Sequence, residues 1–191
     1  MVIADEDKKK LLEEARNSIA SIFTGKKLPK LNYDKDHLFN SRKGAFVTLT
    51  KKGMLRGCIG YIISSKPLIE TVRDAAVQAA IHDPRFPSLD ESEMEKIEIE
   101  ISILSEPFPM NSYDEITLGE HGLILEEMGR RALLLPQVPI EHKMNKEEFL
   151  SALCEKAGIY RDYWREKILN IQLFTAMVFS EKESESRNGK N

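Results

Sequence analysis

At residues 54–63 the chain reads Met54-Leu55-Arg56-Gly57-Cys58-Ile59-Gly60-Tyr61-Ile62-Ile63. The apolar and β-branched side chains of this stretch predict a strand. Side chains alternate across a strand, so the stretch has two different faces. One face is predicted to lie against the core and carries Leu55, Ile59, Tyr61 and Ile63. The other face brings Arg56 and Cys58 together, about 6.6 Å apart along the strand.

Two glycines, Gly57 and Gly60, interrupt this strand. Glycine weakens a strand, and it often marks a bulge or a place where a ligand or another backbone comes close. Residues that disfavour a strand but stand inside an otherwise regular one are typical of a functional position. We therefore predict that Arg56, Gly57 and Gly60 bind a ligand and that Cys58 is a nucleophile, its thiolate favoured by a nearby cation. The alternative is a buried, inert Cys58 that packs as a small apolar side chain.

The sequence on either side of this strand predicts an α+β fold. Gly44 to Thr50 is strand-like, and Lys51-Lys52-Gly53 is a turn that joins it to the strand at residue 54, which makes a hairpin. Apolar periodicity predicts helices at 6–24, 68–82 and 146–157 and further strands at 97–103, 123–126, 132–135 and 168–179. Because these elements interleave without repeated βαβ units, we expect a mostly antiparallel sheet packed with helices.

The chain is predicted to be one domain over residues 1–180, with a smaller lobe at about 105–140. Residues 181–191 are charged and rich in serine, and we predict that they form a disordered tail. A length of 191 residues allows one sizeable core. Contents of 41% hydrophobic and 31% charged residues are those of a soluble globular protein.

Charge and cysteine usage narrow the class of protein further. The net charge of −3 counts against bulk binding of nucleic acid through phosphates. No stretch approaches the ~20 apolar residues of a membrane helix, and the amino terminus lacks the apolar run of a signal peptide. Cys58 and Cys154 lie far apart and form no C-x-x-C pair, so we expect reduced thiols in a cytoplasmic protein.

A second group of candidate residues lies in the loop Asp83-Pro84-Arg85-Phe86-Pro87. Its two prolines end the preceding helix and make the loop rigid. Asp83 and Arg85 are predicted to orient a ligand, because the guanidinium fork suits carboxylates and phosphates. The alternative is an ion pair of Asp83 with Arg85 inside the loop, or with the sheet.

His121 stands between small or polar neighbours in Gly119-Glu120-His121-Gly122. A histidine in such a setting is open to a ligand, and its ordinary pKa near ~6.5 fits acid–base catalysis. The alternative is a turn histidine that is bonded to the backbone. The sequence contains no G-x-G-x-x-G, P-loop, H-E-x-x-H or G-x-S-x-G motif and no paired metal-ligand spacing, so it assigns no cofactor and no metal.

The motif Leu55-Arg56-Gly57-Cys58-Ile59-Gly60 resembles the signature of the AMMECR family, which is named for a human deletion syndrome of Alport features, intellectual disability, midface hypoplasia and elliptocytosis. The resemblance continues through Asp83–Pro87, Ile99–Leu104, His121-Gly122, Leu133–Val138, Glu147–Gly158 and the last strand. It covers about Gly44 to Glu181 in the order that is typical of the family.

The resemblance implies an α+β fold of two unequal lobes with a cleft between them, and an active site near the signature strand. It leaves the reaction open. Members of the family are similar to proteins encoded or fused beside Memo-type and radical-SAM proteins, which associates them with RNA or nucleotide modification. Three hypotheses follow: a protein that binds a small polar or nucleotide-like ligand and uses a thiol, a non-catalytic partner module for Memo-type or radical-SAM proteins, and an RNA-binding protein.

Overall fold

The computed structural model describes residues 3–34 and 37–183, and its helices and antiparallel strands confirm the predicted α+β class. The helices and strands are, in chain order, α1 Asp5–Thr24, β1 Ala45–Lys51, β2 Met54–Tyr61, α2 Leu68–Ile81, β3 Ile97–Leu104, β4 Phe108–Pro109, β5 His121–Glu127, β6 Arg130–Leu134, α3 Val138–Glu141, α4 Lys146–Lys156 and β7 Ile171–Ser180. Neighbouring strands pair antiparallel in β1–β2, β1–β3, β4–β7, β5–β6 and β5–β7.

The chain forms two compact units of unequal length. The first unit comprises Met1–Leu104 and Met177–Asn191, and the second comprises Ser105–Ala176. The second unit starts where the smaller lobe was predicted and continues beyond residue 140. It is longer because α4 and the first part of β7 contribute to the same hydrophobic core as β5 and β6.

In the first unit, the strand order is β2-β1-β3, with β7 beside β3. The alternating apolar residues of β1 and β3 lie on one face of this sheet and are fully buried with α1 and α2, as the period of two predicts. The core includes Leu11, Ile19, Val47, Leu49, Val72, Ala76, Ile99, Ile101 and Phe179. Small alanines on α2 allow the helix to pack closely on the sheet, and Gly25, at φ 65°, ends α1.

Strand β2 departs from the predicted alternation. Its pairing with β1 shifts between Leu49 and Thr50, so that Arg56 is an extra residue in a β-bulge. Leu55 then pairs with Thr50 on the face opposite the core, and its exposed fraction is 43%. Ile59 packs against the core as predicted. The prediction of a continuous apolar face from Leu55 onward was therefore wrong, because an inserted residue reverses the sides of all residues before it.

The second unit has its own core, formed by β5, β6, the first part of β7 and α4. The strand order is β6-β5-β7, and β4 pairs with β7. Asn145 caps α4 in a reciprocal capping box with Glu148, as the sequence predicts. The core consists of residues that include Leu123, Leu125, Leu134, Phe149, Leu153, Cys154, Trp164 and Leu173.

The disordered tail was predicted to start at residue 181, which is too early. Residues 181–183 are helical, because the carboxylate of Glu181 accepts hydrogen bonds from Arg16 at 2.6 Å and from the backbone N–H of Ile99 at 2.9 Å. The remainder of that prediction, 184–191, lies outside the described residues. Within the described ranges, none of the helices has the length and apolar character that would let it cross a membrane.

Candidate functional site

The thiol of Cys58 lies half-buried on β2, on the face of the sheet opposite the core. Its Sγ is 3.3 Å from Oγ1 of Thr48, the residue directly across from it on β1. Thr48 is in turn directly across from Glu100 on β3. Because paired residues of neighbouring strands point to the same side of a sheet, thiol, hydroxyl and carboxylate form a row across three strands.

We call this side of the sheet the polar sheet face and define it by Thr48, Thr50, Cys58, Glu98, Glu100 and Ser102. Ser102 is 1% exposed, and its hydroxyl has no hydrogen-bond partner among the described residues. Thr48, Glu100 and Ser102 are not among the site residues predicted from the sequence. Two signals could have identified them: the strict alternation of β3, and the hairpin register that places residue 48 opposite residue 58.

Burial raises the pKa of the Cys58 thiol above its ordinary value. The hydrogen bond with Thr48 and the positive charge of Arg85 lower this pKa, whereas the negative charges of Asp83 and Glu100 raise it, and burial outweighs the lowering. The thiol is therefore protonated at neutral pH. A nucleophilic Cys58 would have to transfer its proton to a base while it reacts.

Arg56 is held away from this thiol. Its Nε and Nη2 bind the carboxylate of Glu93 at 3.1 and 2.8 Å, and its Nη1 and Nη2 donate to the carbonyls of Pro87 and Ser88 at 2.9 and 3.3 Å. We expected Arg56 and Cys58 to share a face and to form a thiolate site. The bulge at Arg56 breaks that alternation, and these contacts hold its side chain at the loop 87–93.

Asp83 and Arg85 do lie at Cys58, and they contact its backbone. Asp83 Oδ2 accepts a hydrogen bond from the Cys58 N–H at 2.8 Å, and Arg85 Nη2 donates to the Cys58 carbonyl at 3.3 Å. The two side chains also form an ion pair at 2.7 Å. Because β2 is an edge strand, no further strand bonds to the outward-facing N–H and carbonyl of Cys58. Asp83 and Arg85 supply these two hydrogen bonds instead. Hydrogen bonds from Arg85 lower the pKa of Asp83 to about 2.

The two glycines of the signature strand are surrounded by the protein itself. A Cβ at Gly57 would collide with the backbone carbonyl of Ala79 on α2, and a Cβ at Gly60 would collide with the ring of Phe46. We predicted close approach of a ligand at both positions. The structure instead shows close approach of a helix backbone and of an aromatic ring, both of which need the missing side chain.

His121 belongs to the second unit, whereas Cys58 belongs to the first. Its Nδ1 lies 3.2 Å from the backbone nitrogen of Thr117 and 3.1 Å from the carbonyl oxygen of Glu115. The ring also contacts Phe108 edge-on at a centroid distance of 5.8 Å. These backbone contacts are those of the turn histidine that we gave as the alternative. The structure assembles its candidate site from Cys58, Thr48, Glu100, Asp83 and Arg85.

Residues 3–34 and 37–183 contain no group of three or more His, Cys, Asp or Glu side chains arranged to hold a metal ion. Cys154 is fully buried in the core of the second unit, as its place in the apolar stripe of α4 predicts. Cys58 and Cys154 are both free thiols.

Comparison with known proteins finds relatives that match nearly the whole chain. It is 38% identical over 190 residues to Protein Mbar_A1807 of Methanosarcina barkeri, which covers 95% of this chain and 94% of the relative. It is 40% identical over 185 residues to a protein of Methanothermobacter thermautotrophicus, and the match covers 94% of this chain and 96% of that protein. The crystal structure of the uncharacterized protein PH0010 from Pyrococcus horikoshii matches with a TM-score of 0.86, 36% identity and 94% of both chains covered. The AMMECR1 family model matches residues 12–179, so the chain belongs to the AMMECR1 family.

Proposed function

We propose that the first unit binds a small polar ligand on the polar sheet face and that Cys58 is the side chain that reacts with it. One observation carries the proposal: the Cys58 thiol lies 3.3 Å from the Thr48 hydroxyl, in a row that ends at the Glu100 carboxylate. A cysteine whose only role is packing does not need a hydroxyl and a carboxylate in register beside it.

The row provides a path for the thiol proton. In the structure the Thr48 hydroxyl donates to Cys58 Sγ. In the proposed step this hydroxyl rotates toward Glu100, the residue across from it on β3. As Sγ of Cys58 forms a bond to an electrophilic carbon of the ligand, the thiol proton moves to Thr48 Oγ1, and the Thr48 hydroxyl proton moves to Glu100. The bond from that carbon to a leaving group breaks, and the leaving group takes the electron pair. Glu100 is the general base in this step, which suits a thiol that is protonated at neutral pH.

Asp83 and Arg85 position Cys58 in this proposal, because they bind its N–H and its carbonyl oxygen. The side chain of Arg85 is 55% exposed, so it is also accessible to an anion from solution. A nucleotide-like ligand, which the family resemblance implies, would place a phosphate there. We place the reaction in the cytoplasm, where thiols such as Cys58 and Cys154 stay reduced.

The test is the rate at which iodoacetamide alkylates Cys58 as a function of pH, measured by intact mass in the Cys154→Ala variant. We expect slow alkylation at neutral pH and full alkylation once the thiol ionises, with a midpoint above that of cysteine in an unfolded peptide. Cys58→Ser should leave the thermal midpoint nearly unchanged. A thiol that stays unreactive at every pH at which the protein is folded would contradict the proposal.

That contradictory result would make Cys58 a packing residue and would favour the second candidate, a non-catalytic partner module. Exposed apolar side chains on and just after β2 support this second candidate, with exposed fractions of 69% at Met54, 43% at Leu55 and 67% at Ile63. Purification of the chain at native abundance, with recovery of a Memo-type or radical-SAM protein in equal amount, would support it. Recovery that is equal for the wild type and a Met54→Ser, Leu55→Ser, Ile63→Ser variant would contradict it.

A further inference from the structure

Loop 83–88 is attached to the open edge of β2 at two points that lie two residues apart. The first point is Arg56, whose Nη1 and Nη2 donate to the carbonyls of Pro87 and Ser88 at 2.9 and 3.3 Å. The second point is Cys58, whose backbone N–H and carbonyl bind the carboxylate and the guanidinium that the loop carries. The loop therefore lies along β2 beside the thiol, and its position depends on both attachments.

The carboxylate of Glu93 fixes the direction of the Arg56 guanidinium. One oxygen accepts a hydrogen bond from Arg56 Nε at 3.1 Å and the other from Nη2 at 2.8 Å, which is the bidentate geometry that orients a guanidinium. The same carboxylate accepts from Nζ of Lys51 at 2.7 Å and from the backbone N–H of Asp90 at 3.0 Å. The side chains of Glu93 and Arg56 are only 14% and 12% exposed, so salt and water screen their attraction little. Arg56 therefore cannot turn away from the loop carbonyls without leaving Glu93.

These contacts connect Glu93 to the environment of the thiol. Burial is the largest cause of the raised pKa of Cys58, and Arg85 and Asp83 act on this pKa in opposite directions. If loop 83–88 moved away from β2, the charges of both residues would leave together and would largely offset each other. The thiol would then lose burial, so that its pKa would fall toward the ordinary value and its sulfur would become more accessible.

We infer that Glu93 is a positioning residue for Cys58. It holds Arg56 on the carbonyls of loop 83–88, and the loop in turn holds the backbone N–H and carbonyl of Cys58. Glu93 has this role for the proposed function, on which the inference rests, because the thiol that it positions is the reacting group. The same contacts explain why Arg56, whose side chain is held away from the thiol, still belongs to the site.

The experiment compares Glu93→Gln with Glu95→Gln, the latter at an exposed carboxylate two positions further along the chain, each in the Cys154→Ala protein. The two measurements are hydrogen exchange of the Cys58 amide, whose N–H binds loop 83–88, and alkylation of the thiol by iodoacetamide as a function of pH. We expect Glu93→Gln to speed exchange of this amide about tenfold or more, because a charge-assisted hydrogen bond that holds the loop is lost. The alkylation midpoint should also move to lower pH, and Glu95→Gln should match the parent protein in both measurements.

Two further comparisons separate positioning from general stability. Arg56→Lys keeps the positive charge but lacks the planar fork that binds Glu93 and two carbonyls together, so it should behave as Glu93→Gln does. The amide of Val47, on the inner strand β1 of the same sheet, should exchange at the parent's rate in both variants.

Equal exchange of the Cys58 amide in Glu93→Gln and Glu95→Gln would overturn the inference. An acceleration as large at Val47 as at Cys58 would also overturn it, because Glu93 would then support the whole fold. If the parent thiol reacts as proposed but Glu93→Gln changes neither measurement, the positioning role fails and the proposed function stands. If the thiol is inert at every pH while the Cys58 amide of Glu93→Gln exchanges faster, Glu93 positions the strand and the proposed reaction fails.

Discussion

The charged residues around Cys58 form pairs, and this pairing determines the state of the thiol. Arg56 binds Glu93 and Arg85 binds Asp83, so each arginine lies against a carboxylate. Hydrogen bonds from Arg56 lower the pKa of Glu93, and hydrogen bonds from Arg85 lower that of Asp83. Burial meanwhile keeps Cys58 protonated. The sequence alone suggested an arginine that activates a thiol; the structure shows arginines that organise the loop and the strand edge beside it.

The ion pair at Asp83 makes stability depend on pH. The pKa of Asp83 is about 2 in the folded protein, against 3.8 for an unperturbed side chain, and the carboxylate is 2% exposed. Its contribution of about 2 kcal/mol is therefore complete above pH 3.8 and is lost as the pH falls through about 2. We expect Asp83→Asn to lower the free energy of unfolding in urea at neutral pH by about this amount.

The same variant should lose less stability than the wild type when the pH is lowered, because the titrating group is gone. Asp34→Asn, at an exposed aspartate of the first unit, is the control and should match the wild type at both pH values. Equal stability of Asp83→Asn and wild type at neutral pH would mean that the contacts of Asp83 with Cys58 and Arg85 contribute nothing net.

The elements of the first unit are held together by contacts that only glycine allows. Gly57 on β2 lies against the carbonyl of Ala79 on α2, and the same strand needs Gly60 because the ring of Phe46 covers it. Close packing therefore explains why both positions of the signature motif are glycine. Its glycines place Cys58 by fixing where β2 lies against α2 and β1, without contacting the thiol.

We expect Gly57→Ala to destabilise the protein by about 3 kcal/mol, because its Cβ would force the backbones of β2 and α2 apart. Gly25→Ala is the control: Gly25 has φ 65° and open space around a Cβ, so the variant should lose only the about 1 kcal/mol of a left-handed conformation. Urea unfolding of both variants measures the difference. A Gly57→Ala protein as stable as the Gly25→Ala protein would show that α2 and β2 are not in close contact.

Local sequence patterns were sufficient to predict most elements of this fold. The alternation of buried and exposed residues in β3 and the capping box at Asn145 depend only on residues close together in the chain. Both could therefore be predicted from the sequence. The bulge at Arg56 and the row from Cys58 to Glu100 could not, because both depend on how separate strands align. The partners of Arg56 also come from a loop more than thirty residues away in the chain, and spacing along a sequence gives no distance in space.

At the scale of the whole molecule, each compact unit has its own hydrophobic core. The core of the first unit is built from α1, α2 and the sheet of β1–β3, and that of the second from α4 with β5 and β6. The candidate site lies entirely in the first unit, since Cys58, Asp83 and Glu100 all fall within Met1–Leu104. Cooperative units of this kind often open separately.

Native-state hydrogen exchange tests this division. Leu153→Ala removes a fully buried side chain from the second core and should cost about 3 kcal/mol. We expect protection to fall mainly among the amides of Ser105–Ala176. Leu68→Ala, at a fully buried position of the first core, should have the reciprocal effect. An equal loss of protection throughout the chain in both variants would show that the two units unfold as one.

The most direct test of the central claim compares the alkylation of Cys58 in three proteins that all carry Cys154→Ala. The first has no other change, the second adds Glu100→Gln and the third adds Glu98→Gln. Because the negative charge of Glu100 raises the pKa of Cys58, we predict that Glu100→Gln moves the alkylation midpoint to lower pH. Glu98→Gln should move it less. Identical midpoints in all three proteins would contradict a functional row of Cys58, Thr48 and Glu100.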